Sequence, residues 1–417
     1  MKQLVIDGGE TLSGSIRISG AKNSAVALIP AALLASDTVT ICNVPDITDI
    51  DALSECLKFL GASVRRASES MVIDPSQIEN KEIPEHLAKK LRASYYFMGA
   101  LLGKYHHVEM YFPGGCSIGK RPINLHLKGF EALGATVSSE GNKYVVDAEE
   151  LRGANIYLDI ASVGATINIM LAAVLAKGDT VIDNAAKEPE IVNVATFLNN
   201  MGASISGAGT STIKIHGVSE LHGCYHEVIP DRIEAGTYAI IAALTGNYLK
   251  IDNLIPEHID SLLSKFDEIG VYYEVGSDYV IINHEGEYRA TNITTAVYPG
   301  FPTDLQQPFS ILLTQCKGTS KIQEKIFENR FMHIPYVCKM GADCNVEENT
   351  AEITGISKLH GEEVVATDLR AGAALVVAGL IADGTTRISN AEHILRGYEN
   401  IVEKLSNVGA KIRIEEK

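Results

Sequence analysis

The residues best suited to chemistry in this sequence lie in the segment Pro113–Arg121, which reads Pro-Gly-Gly-Cys-Ser-Ile-Gly-Lys-Arg. It places Cys116 among three glycines and puts Lys120 and Arg121 shortly after it. Nearby cations favour the thiolate form of a cysteine. Glycines let the backbone approach a ligand closely, and the two cations could bind an anionic substrate. We therefore interpret Cys116 as a reactive thiol on a loop.

The same segment partly matches a phosphate-binding loop. Gly114 to Lys120 fits the spacing G-x-x-x-x-G-K, between an apolar run and a helical pattern. That motif needs Ser or Thr next, to hold Mg²⁺, and Arg121 stands there instead. The nucleotide-hydrolase interpretation is therefore disfavoured.

Composition and charge narrow the class of protein. With 417 residues, of which 46% are hydrophobic and 21% charged, the chain is expected to form two globular domains. The formal charge of −16 argues against nucleic acid as a partner. No apolar run is long enough to span a bilayer, so no membrane partner is expected.

The cysteines and the chain start indicate a cytoplasmic protein. Seven cysteines without a C-x-x-C pair are typical of a reducing compartment. Met1–Leu4 leads into a strand pattern and not into a signal peptide. Apart from Cys116, the cysteines are interpreted as small hydrophobic residues: Cys42, Cys56, Cys224, Cys316, Cys338 and Cys344.

Internal repetition organises the whole chain. Six times a glycine, nearly always followed by alanine, ends a helical pattern and opens a strand pattern. Such a glycine suits the left-handed residue that ends many helices. Each repeat reads as helix, strand, helix and strand pair, which predicts helices packed on sheets in an α/β fold. The six glycines are Gly61, Gly134, Gly202, Gly270, Gly341 and Gly409.

One repeat is longer than the others. From the turn before its short strand to its helix-ending glycine, five repeats span 23 to 25 positions, whereas Gly103 to Gly134 spans 31. The additional residues form the loop that carries Cys116. A single lengthened loop on a repeated scaffold is a common place for binding and catalysis.

The chain start supplies a piece that the sixth repeat lacks. Several repeats end in a strand followed by Leu-x-Gly, and the pattern Gln3–Asp7 with Leu12–Gly14 provides this at the front. We infer that the N-terminal strand completes the C-terminal domain. Three repeats per half then predict one domain at 22–229 and another at 230–417 plus 1–21.

Polar residues begin the first helix of each repeat, where free N–H groups favour anions. We expect these helix starts to contribute to one polar site. Ser162 and Asp231 are favoured as ordinary helix caps. The cations Lys22, Arg92 and Arg370 oppose the helix dipole and so require a ligand or a partner. The starts are Lys22–Asn23, Arg92, Ser162–Gly164, Asp231–Glu234, Asp304 and Asp368–Arg370.

Further cations recur in the loops that follow the short strands. Lys120, Arg121, Arg330 and Arg396 occupy such positions. One cation alone is usually a solvated surface residue. Their recurrence suggests a substrate that carries phosphate and carboxylate groups.

These motifs resemble the UDP-N-acetylglucosamine 1-carboxyvinyltransferases, a family of enolpyruvyl transferases, along the whole chain. The resemblance implies two inside-out α/β domains, each of three repeated units, and transfer of the enolpyruvyl group of phosphoenolpyruvate to UDP-N-acetylglucosamine. It implies no metal or other cofactor. The matching motifs are Ser19–Asn23, Pro113–Arg121, Ser162–Thr166, Pro299–Asp304, Glu328–His333, Ala366–Arg370 and Gly397–Tyr398.

The resemblance also implies residue roles. Cys116 would protonate the methylene of phosphoenolpyruvate and can form an adduct with it, Asp304 would be the general base for the sugar 3-hydroxyl, and Asp368 would assist proton transfer. Phosphoenolpyruvate would lie against Lys22, Arg121, Arg396 and Arg370, and Arg330 is a further candidate for binding substrate. The nucleotide sugar would contact Asn23, Arg92, Arg121, Pro122, Ile123, Asn124, Leu125, Ser162, Val163, Gly164 and Ile326.

The sequence departs from the family pattern at two positions. Ile160 stands where the family often has Lys, and Asn124 stands where it often has Asp. Both departures concern nucleotide binding and not the transfer chemistry.

Two alternatives remain open at this stage. The shikimate-pathway enolpyruvyl transferase shares the implied fold, but lacks the reactive cysteine loop and has a Gly-Ser-Lys-Ser type of start. A non-catalytic relative that binds the nucleotide sugar is the second alternative, although Cys116, Asp304 and Lys22 are all present.

Overall fold

The computed structural model describes residues 2–112 and 122–416. Cys116 and Arg121, both predicted site residues, lie outside the described residues.

The described chain alternates between strands and helices. The strands are β1 Lys2–Asp7, β2 Ser15–Arg17, β3 Val39–Cys42, β4 Ser63–Ala67, β5 Ser70–Asp74, β6 His107–Tyr111, β7 Thr136–Glu140, β8 Lys143–Asp147, β9 Asn155–Tyr157, β10 Asp179–Asp183, β11 Ser204–Ser206, β12 Thr212–His216, β13 Tyr225–Glu227, β14 Leu249–Asp252, β15 Tyr272–Val275, β16 Tyr279–Asn283, β17 Tyr288–Arg289, β18 Ile293–Thr294, β19 Cys316–Gln323, β20 Asp343–Glu347, β21 Thr350–Gly355, β22 Glu363–Val365, β23 Thr385–Ser389 and β24 Lys411–Glu416. The helices are α1 Lys22–Ala31, α2 Thr48–Leu60, α3 Glu85–Ala88, α4 Tyr96–Tyr105, α5 Asn124–Ala132, α6 Val163–Ala173, α7 Pro189–Asn200, α8 Arg232–Thr245, α9 Asp260–Ile269, α10 Thr303–Thr314, α11 Ile334–Lys339, α12 Leu369–Ile381, α13 Glu392–Leu395 and α14 Ile401–Asn407. Short 3₁₀ helices lie at Ala32–Leu34, Arg92–Tyr95 and Pro256–Ile259.

Internal contacts divide the described chain into two compact units. The N-terminal unit comprises residues 20–112 and 122–229. The C-terminal unit comprises residues 2–19 and 230–416. Each unit has its own hydrophobic core.

The repeated glycines end helices as the sequence predicts. Gly61, Gly134, Gly202, Gly270, Gly341 and Gly409 all have positive φ, between 94° and 109°. A residue with a Cβ is strained in this conformation, so glycine is the natural choice at these turns.

Three sheets of the C-terminal unit have the orders β22-β23-β1-β24, β15-β16-β14-β2 and β17-β19-β21-β20, with β18 also paired to β19. Strand β1 lies inside its sheet and pairs antiparallel with both β23 and β24. Leu4, for example, lies opposite Ile388 on one side and Ile414 on the other. The chain start therefore supplies the strand that the last repeat lacks.

Three sheets of the N-terminal unit have the orders β13-β3-β5-β4, β6-β8-β7 and β11-β12-β10-β9. The short strands β9 and β13 each pair in parallel with the short strand of another repeat, β10 and β3 respectively. Strand β13 follows the third repeat and β3 belongs to the first, so this pairing links the end of the unit to its beginning.

Apolar helices form the centre of each unit. In the C-terminal unit α8, α10 and α12 pack on one another, and in the N-terminal unit α4 packs on α1 and α6. Most residues of these helices are buried on every side. A helix that is apolar all round is stable only when it is surrounded by protein. This placement of helices inside the sheets fixes where their N-termini lie.

Among the described residues, none of the helices has both the length and the apolar character needed to cross a membrane.

Candidate functional site

The starts of three central helices bring charged side chains together in the C-terminal unit. Asp231 precedes α8, and its carboxylate accepts hydrogen bonds from the N–H groups of Ile233 and Glu234. Asp368 precedes α12 and accepts from the N–H groups of Arg370 and Ala371. Both aspartates are therefore helix caps, as the sequence favoured for Asp231.

Asp304, in the first turn of α10, forms ion pairs with two arginines. Nη2 of Arg370 donates to one carboxylate oxygen at 3.1 Å, and Nη2 of Arg330 donates to the other. The arginine side chains are 5% and 3% exposed, whereas Asp304 is 25% exposed. Two arginines that are almost fully buried thus hold the Asp304 carboxylate, which remains partly exposed to solvent.

These arginines determine how readily Asp304 takes a proton. Burial alone raises the pKa of the Asp304 carboxyl, but the charges of Arg370, Arg330 and Arg232 outweigh burial and hold the pKa well below its usual range. Asp304 is therefore ionised at neutral pH and is a weak base while both arginines contact it. A ligand that drew the arginine charge away would make it a stronger base.

Arg330 is held by the helix that carries Asp304. Its Nε donates to Oγ1 of Thr303 at 3.2 Å, and its carbonyl oxygen accepts from Nε2 of Gln307 at 2.9 Å. Its guanidinium also lies 5.2 Å from the ring centre of Phe327. Hydrogen bonds therefore hold both the backbone and the guanidinium group of Arg330.

The loop before Arg330 is ordered by a buried carboxylate. Glu324, which is 2% exposed, accepts from the N–H groups of Ile326 and Phe327 and from the hydroxyls of Thr295 and Thr303. Ile326 is held at the surface with 37% of its side chain exposed. An exposed apolar side chain on a fixed loop can pack against a flat ligand ring.

Arg370 contacts a second partner besides Asp304. Its Nη1 donates to the hydroxyl of Tyr398 at 3.0 Å. Arg396, two residues before Tyr398, follows helix α13 and is half-buried. The segment 396–398 therefore places a predicted substrate-binding cation next to the residue that holds Arg370.

In the N-terminal unit, Lys22 begins α1 and pairs with Asp49. Its Nζ lies 2.7 Å from Oδ2 of Asp49, with side chains 13% and 3% exposed. Asn23 follows it and is half-buried. The partner that a cation at a helix start requires is here a carboxylate of the first turn of α2.

Helix α6 begins beside two aromatic side chains. Ser162 caps this helix by accepting from the N–H of Ala165 at 3.2 Å, as the sequence favoured. A Cβ on Gly164 would lie 2.8 Å from the hydroxyl of Tyr95 and 3.2 Å from Nε2 of His126. The helix start at Ser162, Val163 and Gly164 is thus packed closely against both rings.

His126 is a neutral hydrogen-bond donor in this cluster. Burial, with a smaller contribution from the charge of Arg92, lowers its pKa to about 3. Nδ2 of Asn168 donates to its Nδ1 at 3.0 Å, and Oδ1 of Asn168 accepts from the N–H of Gly99. Nδ1 is therefore the acceptor, and the proton of neutral His126 lies on Nε2, on the side of Gly164.

The remaining predicted contacts of this unit differ in exposure. Pro122 and Asn124 are exposed, Leu125 is half-buried, and Ile123 is buried, so Ile123 supports the segment and has little surface for a ligand. Ile160, which replaces a cation common in the family pattern, is 67% exposed.

The residues that hold the predicted side chains in place were not themselves predicted from the sequence. Asp49, His126 and Asn168 belong to helices. Asn168 is a buried amide in a mostly apolar helix, which is a usable signal. Tyr398 was noted only as part of a motif. The C-terminal unit combines an ionised carboxylate with two arginines suited to phosphate or carboxylate. The N-terminal unit, taken by itself, offers donors at a helix start.

Comparison with known proteins gives one consistent family. Residues 6–405 match the sequence model of the EPSP synthase (3-phosphoshikimate 1-carboxyvinyltransferase) family. UDP-N-acetylglucosamine 1-carboxyvinyltransferase 2 of Geobacillus kaustophilus is 54% identical over 99% of this chain and 96% of its own length. The protein of the same name from Listeria monocytogenes is 53% identical over 98% and 97%.

Solved structures show the same fold. The enolpyruvyl transferase NikO from Streptomyces tendae superposes with a TM-score of 0.91 at 28% identity, covering 99% of this chain and 98% of NikO. EPSP synthase from Acinetobacter baumannii superposes with a TM-score of 0.76 at 17% identity over the full length of both chains. The predicted α/β fold of the enolpyruvyl transferases is thereby confirmed.

Proposed function

Because the chain belongs to the UDP-N-acetylglucosamine 1-carboxyvinyltransferase family, we propose that it transfers the enolpyruvyl group of phosphoenolpyruvate to the 3-hydroxyl of UDP-N-acetylglucosamine. The observation that carries this proposal is 54% identity over nearly the whole chain to a relative with that name. The reaction is the first committed step of peptidoglycan synthesis, and we assign it to the cytoplasm.

The reaction needs an acid, a base and fixed positive charge. A proton added to the methylene carbon of phosphoenolpyruvate leaves a cation-like carbon, to which the sugar oxygen bonds as it loses its own proton. Loss of a methyl proton then restores the double bond while the carbon–oxygen bond to phosphate breaks. The products are the enolpyruvyl ether and inorganic phosphate, and no oxidant or reductant is consumed.

In the C-terminal unit, Asp304 is the general base and its arginine partners bind the anionic substrate. Arg330 and Arg370 present several N–H donors, which suits a carboxylate or a phosphate. When they bind substrate, their charge is shared with it, so the proton affinity of Asp304 rises at the stage where a base is needed. Asp368 assists proton transfer, and Arg396 contributes a further cation.

In the N-terminal unit, Lys22 binds phosphoenolpyruvate, and Asp49 keeps its ammonium group in place. The start of α6 at Ser162–Gly164 binds the nucleotide sugar, supported by the free N–H groups that a helix start offers to anions. Cys116 and Arg121 are assigned as proton donor and substrate-binding cation. The other residues that we propose for nucleotide-sugar binding are Asn23, Arg92, Pro122, Ile123, Asn124, Leu125 and Ile326.

The test is release of inorganic phosphate from phosphoenolpyruvate. Full-length protein is supplied with UDP-N-acetylglucosamine or with shikimate 3-phosphate, and the nucleotide product is identified by mass. We expect release and an enolpyruvyl product only with UDP-N-acetylglucosamine. Asp304→Asn serves as the matched catalytic control and is expected to lose most of the turnover, since it lacks a base.

Two outcomes would overturn the proposal. Phosphate release only with shikimate 3-phosphate would identify the other transferase, whose name the matching family model carries. Calorimetric binding of UDP-N-acetylglucosamine without any release would identify a non-catalytic binding protein.

A further inference from the structure

A chain of three buried hydrogen bonds ends on Arg370. Nη1 of Arg370 contacts the hydroxyl of Tyr398 at 3.0 Å, and this hydroxyl contacts Oγ1 of Thr237 at 2.9 Å. Oγ1 of Thr237 in turn contacts the carbonyl oxygen of Ile233 at 2.8 Å. Arg370, Tyr398 and Thr237 are 4%, 1% and 2% exposed. Water therefore has little access to replace any of these partners.

The direction of each hydrogen bond follows from the end of the chain. The carbonyl of Ile233 can only accept, so the hydroxyl of Thr237 donates to it. The single hydroxyl proton of Thr237 is then used, and Tyr398 must donate to Thr237. Tyr398 is left as an acceptor toward Arg370, which can only donate. Burial also raises the pKa of Tyr398, so the phenol keeps the proton that it donates.

The two terminal nitrogens determine the orientation of the Arg370 head group. Nη1 is bonded to Tyr398 and Nη2 to Asp304. Nε is buried and has no hydrogen-bond partner in the part of the chain that the structure describes. Without the Tyr398 contact, Asp304 is the one remaining hydrogen-bond partner of the Arg370 guanidinium among residues 2–112 and 122–416. In the proposed reaction, substrate competes with Asp304 for Arg370.

We propose that Tyr398, oriented by Thr237, is a positioning residue that holds Arg370 for substrate binding. Tyr398 does not touch substrate in this proposal and acts through Arg370. The proposal rests on the proposed function, in which Arg370 binds phosphoenolpyruvate. It adds two residues, on α8 and in the segment after α13, to the machinery of the reaction.

We expect a substitution of Tyr398 to change KM for phosphoenolpyruvate and not KM for UDP-N-acetylglucosamine. Tyr398→Phe keeps the aromatic ring, which lies 5.3 Å from the guanidinium carbon of Arg370, and removes only the hydroxyl. Hydrogen bonds to charged groups are among the stronger ones in proteins, so we expect KM for phosphoenolpyruvate to rise about tenfold. KM for UDP-N-acetylglucosamine should stay close to that of the wild type.

Thr237 provides the second arm of the experiment. Thr237→Val has the same shape without the hydroxyl, and should raise KM for phosphoenolpyruvate by a smaller factor, because Tyr398 loses its acceptor. Thr237→Ser retains the hydroxyl and should restore the wild-type value. In the double variant with Tyr398→Phe, the two effects should be less than additive, since both act through one chain of hydrogen bonds.

Tyr288→Phe is the matched control. Tyr288 lies in the same unit, is 2% exposed, and its hydroxyl donates to the carbonyl of Ala243 on α8, the helix that carries Thr237. This variant also loses a buried phenol hydroxyl, but no contact with Arg370. It should leave KM for phosphoenolpyruvate unchanged while affecting thermal stability to a similar extent.

The test is to measure KM for both substrates, together with thermal unfolding, for the wild type and each variant. Equal KM values for phosphoenolpyruvate in the wild type, Tyr398→Phe and Thr237→Val would overturn the proposal. If Tyr398→Phe does not fold, Thr237→Val and Thr237→Ser carry the test. If the wild type releases no phosphate, the proposed function has failed, and calorimetric titration with phosphoenolpyruvate still shows whether Tyr398→Phe weakens binding.

Discussion

Replacing Arg330 should make Asp304 titrate at a higher pH. In the wild type, the charges of Arg370 and Arg330 hold the pKa of Asp304 well below its usual range despite the opposing effect of burial. A base that stays ionised at every accessible pH gives no acid limb in the pH profile. In Arg330→Met, one of the two ion pairs is absent, so the pKa of Asp304 rises and its protonation should reduce the rate at low pH.

The structure sets the size of the change. Arg330 is 3% exposed and donates directly to the carboxylate, so solvent screens the contact only weakly. A hydrogen bond to a charged group contributes about 1.5–3 kcal/mol. At about 1.4 kcal/mol per factor of ten, its loss raises the proton affinity of Asp304 about ten- to hundredfold. The remaining contact with Arg370 prevents a larger change.

The assay is kcat/KM for phosphoenolpyruvate as a function of pH, measured by phosphate release at saturating UDP-N-acetylglucosamine. The ionisation of phosphoenolpyruvate affects the pH profiles of the wild type and of both variants equally, so it does not contribute to the difference between them. Lys317→Met is the control, because it removes a cation of the same unit whose side chain is 74% exposed. Circular dichroism at each pH excludes acid unfolding as the cause of lost rate.

The predicted result has two parts. Arg330→Met should show a lower plateau, since a substrate-binding cation is absent. It should also show an acid limb, which the wild type and Lys317→Met lack. A lower plateau without any acid limb would refute the reasoning, because it would separate Arg330 from the ionisation of the base.

Two further predictions concern stability and nucleotide binding. Burial, opposed by the charge of Lys404, raises the pKa of Glu234 from 4.5 to about 7. Between these two pH values the folded protein therefore binds more protons than the unfolded chain does. The free energy of unfolding falls as pH rises through this range, by about 3 kcal/mol at most. Urea unfolding at pH 5 and pH 8 should show this loss reduced in Glu234→Gln but not in the exposed control Glu257→Gln; equal losses in all three proteins would contradict it. Gly164→Ala should raise KM for UDP-N-acetylglucosamine more than it changes kcat, because its Cβ would lie 2.8 Å from the hydroxyl of Tyr95. Adding Tyr95→Phe should recover part of that loss, and an unaltered KM in Gly164→Ala would show that this helix start does not bind the nucleotide sugar.

Local features of the fold were predictable because they depend on short stretches of sequence. The glycines that end helices, such as Gly202 and Gly409, need only the preference of one residue type for positive φ. The caps Ser162 and Asp231 follow from side chains that can accept from nearby N–H groups. The role of the N-terminal strand was predicted because the sixth repeat lacks one strand. Strand β1 takes that place and pairs with β24 of the same repeat.

The candidate site was predictable in its members but not in its contacts. The cations at helix starts stood out because each opposes the helix dipole. Which groups compensate Arg370 could not be deduced, since Asp304 is 66 residues and Tyr398 is 28 residues away from it in the chain. The same limit applies to the low basicity of Asp304, which arises from three arginines that its own helix does not contain.

The sequence by itself determined the repeated α/β architecture, the helix boundaries marked by glycine, and the types of residue available for anion binding and proton transfer. These properties depend on periodicity and on the conformational preferences of single residues. Only the tertiary structure decided that Asp304 is held by Arg330 and Arg370, that Asp49 pairs with Lys22, and that Tyr398 holds Arg370. The physical reason is that charge interactions depend on distance in space, and packing the central helices together sets these distances for residues far apart in the chain.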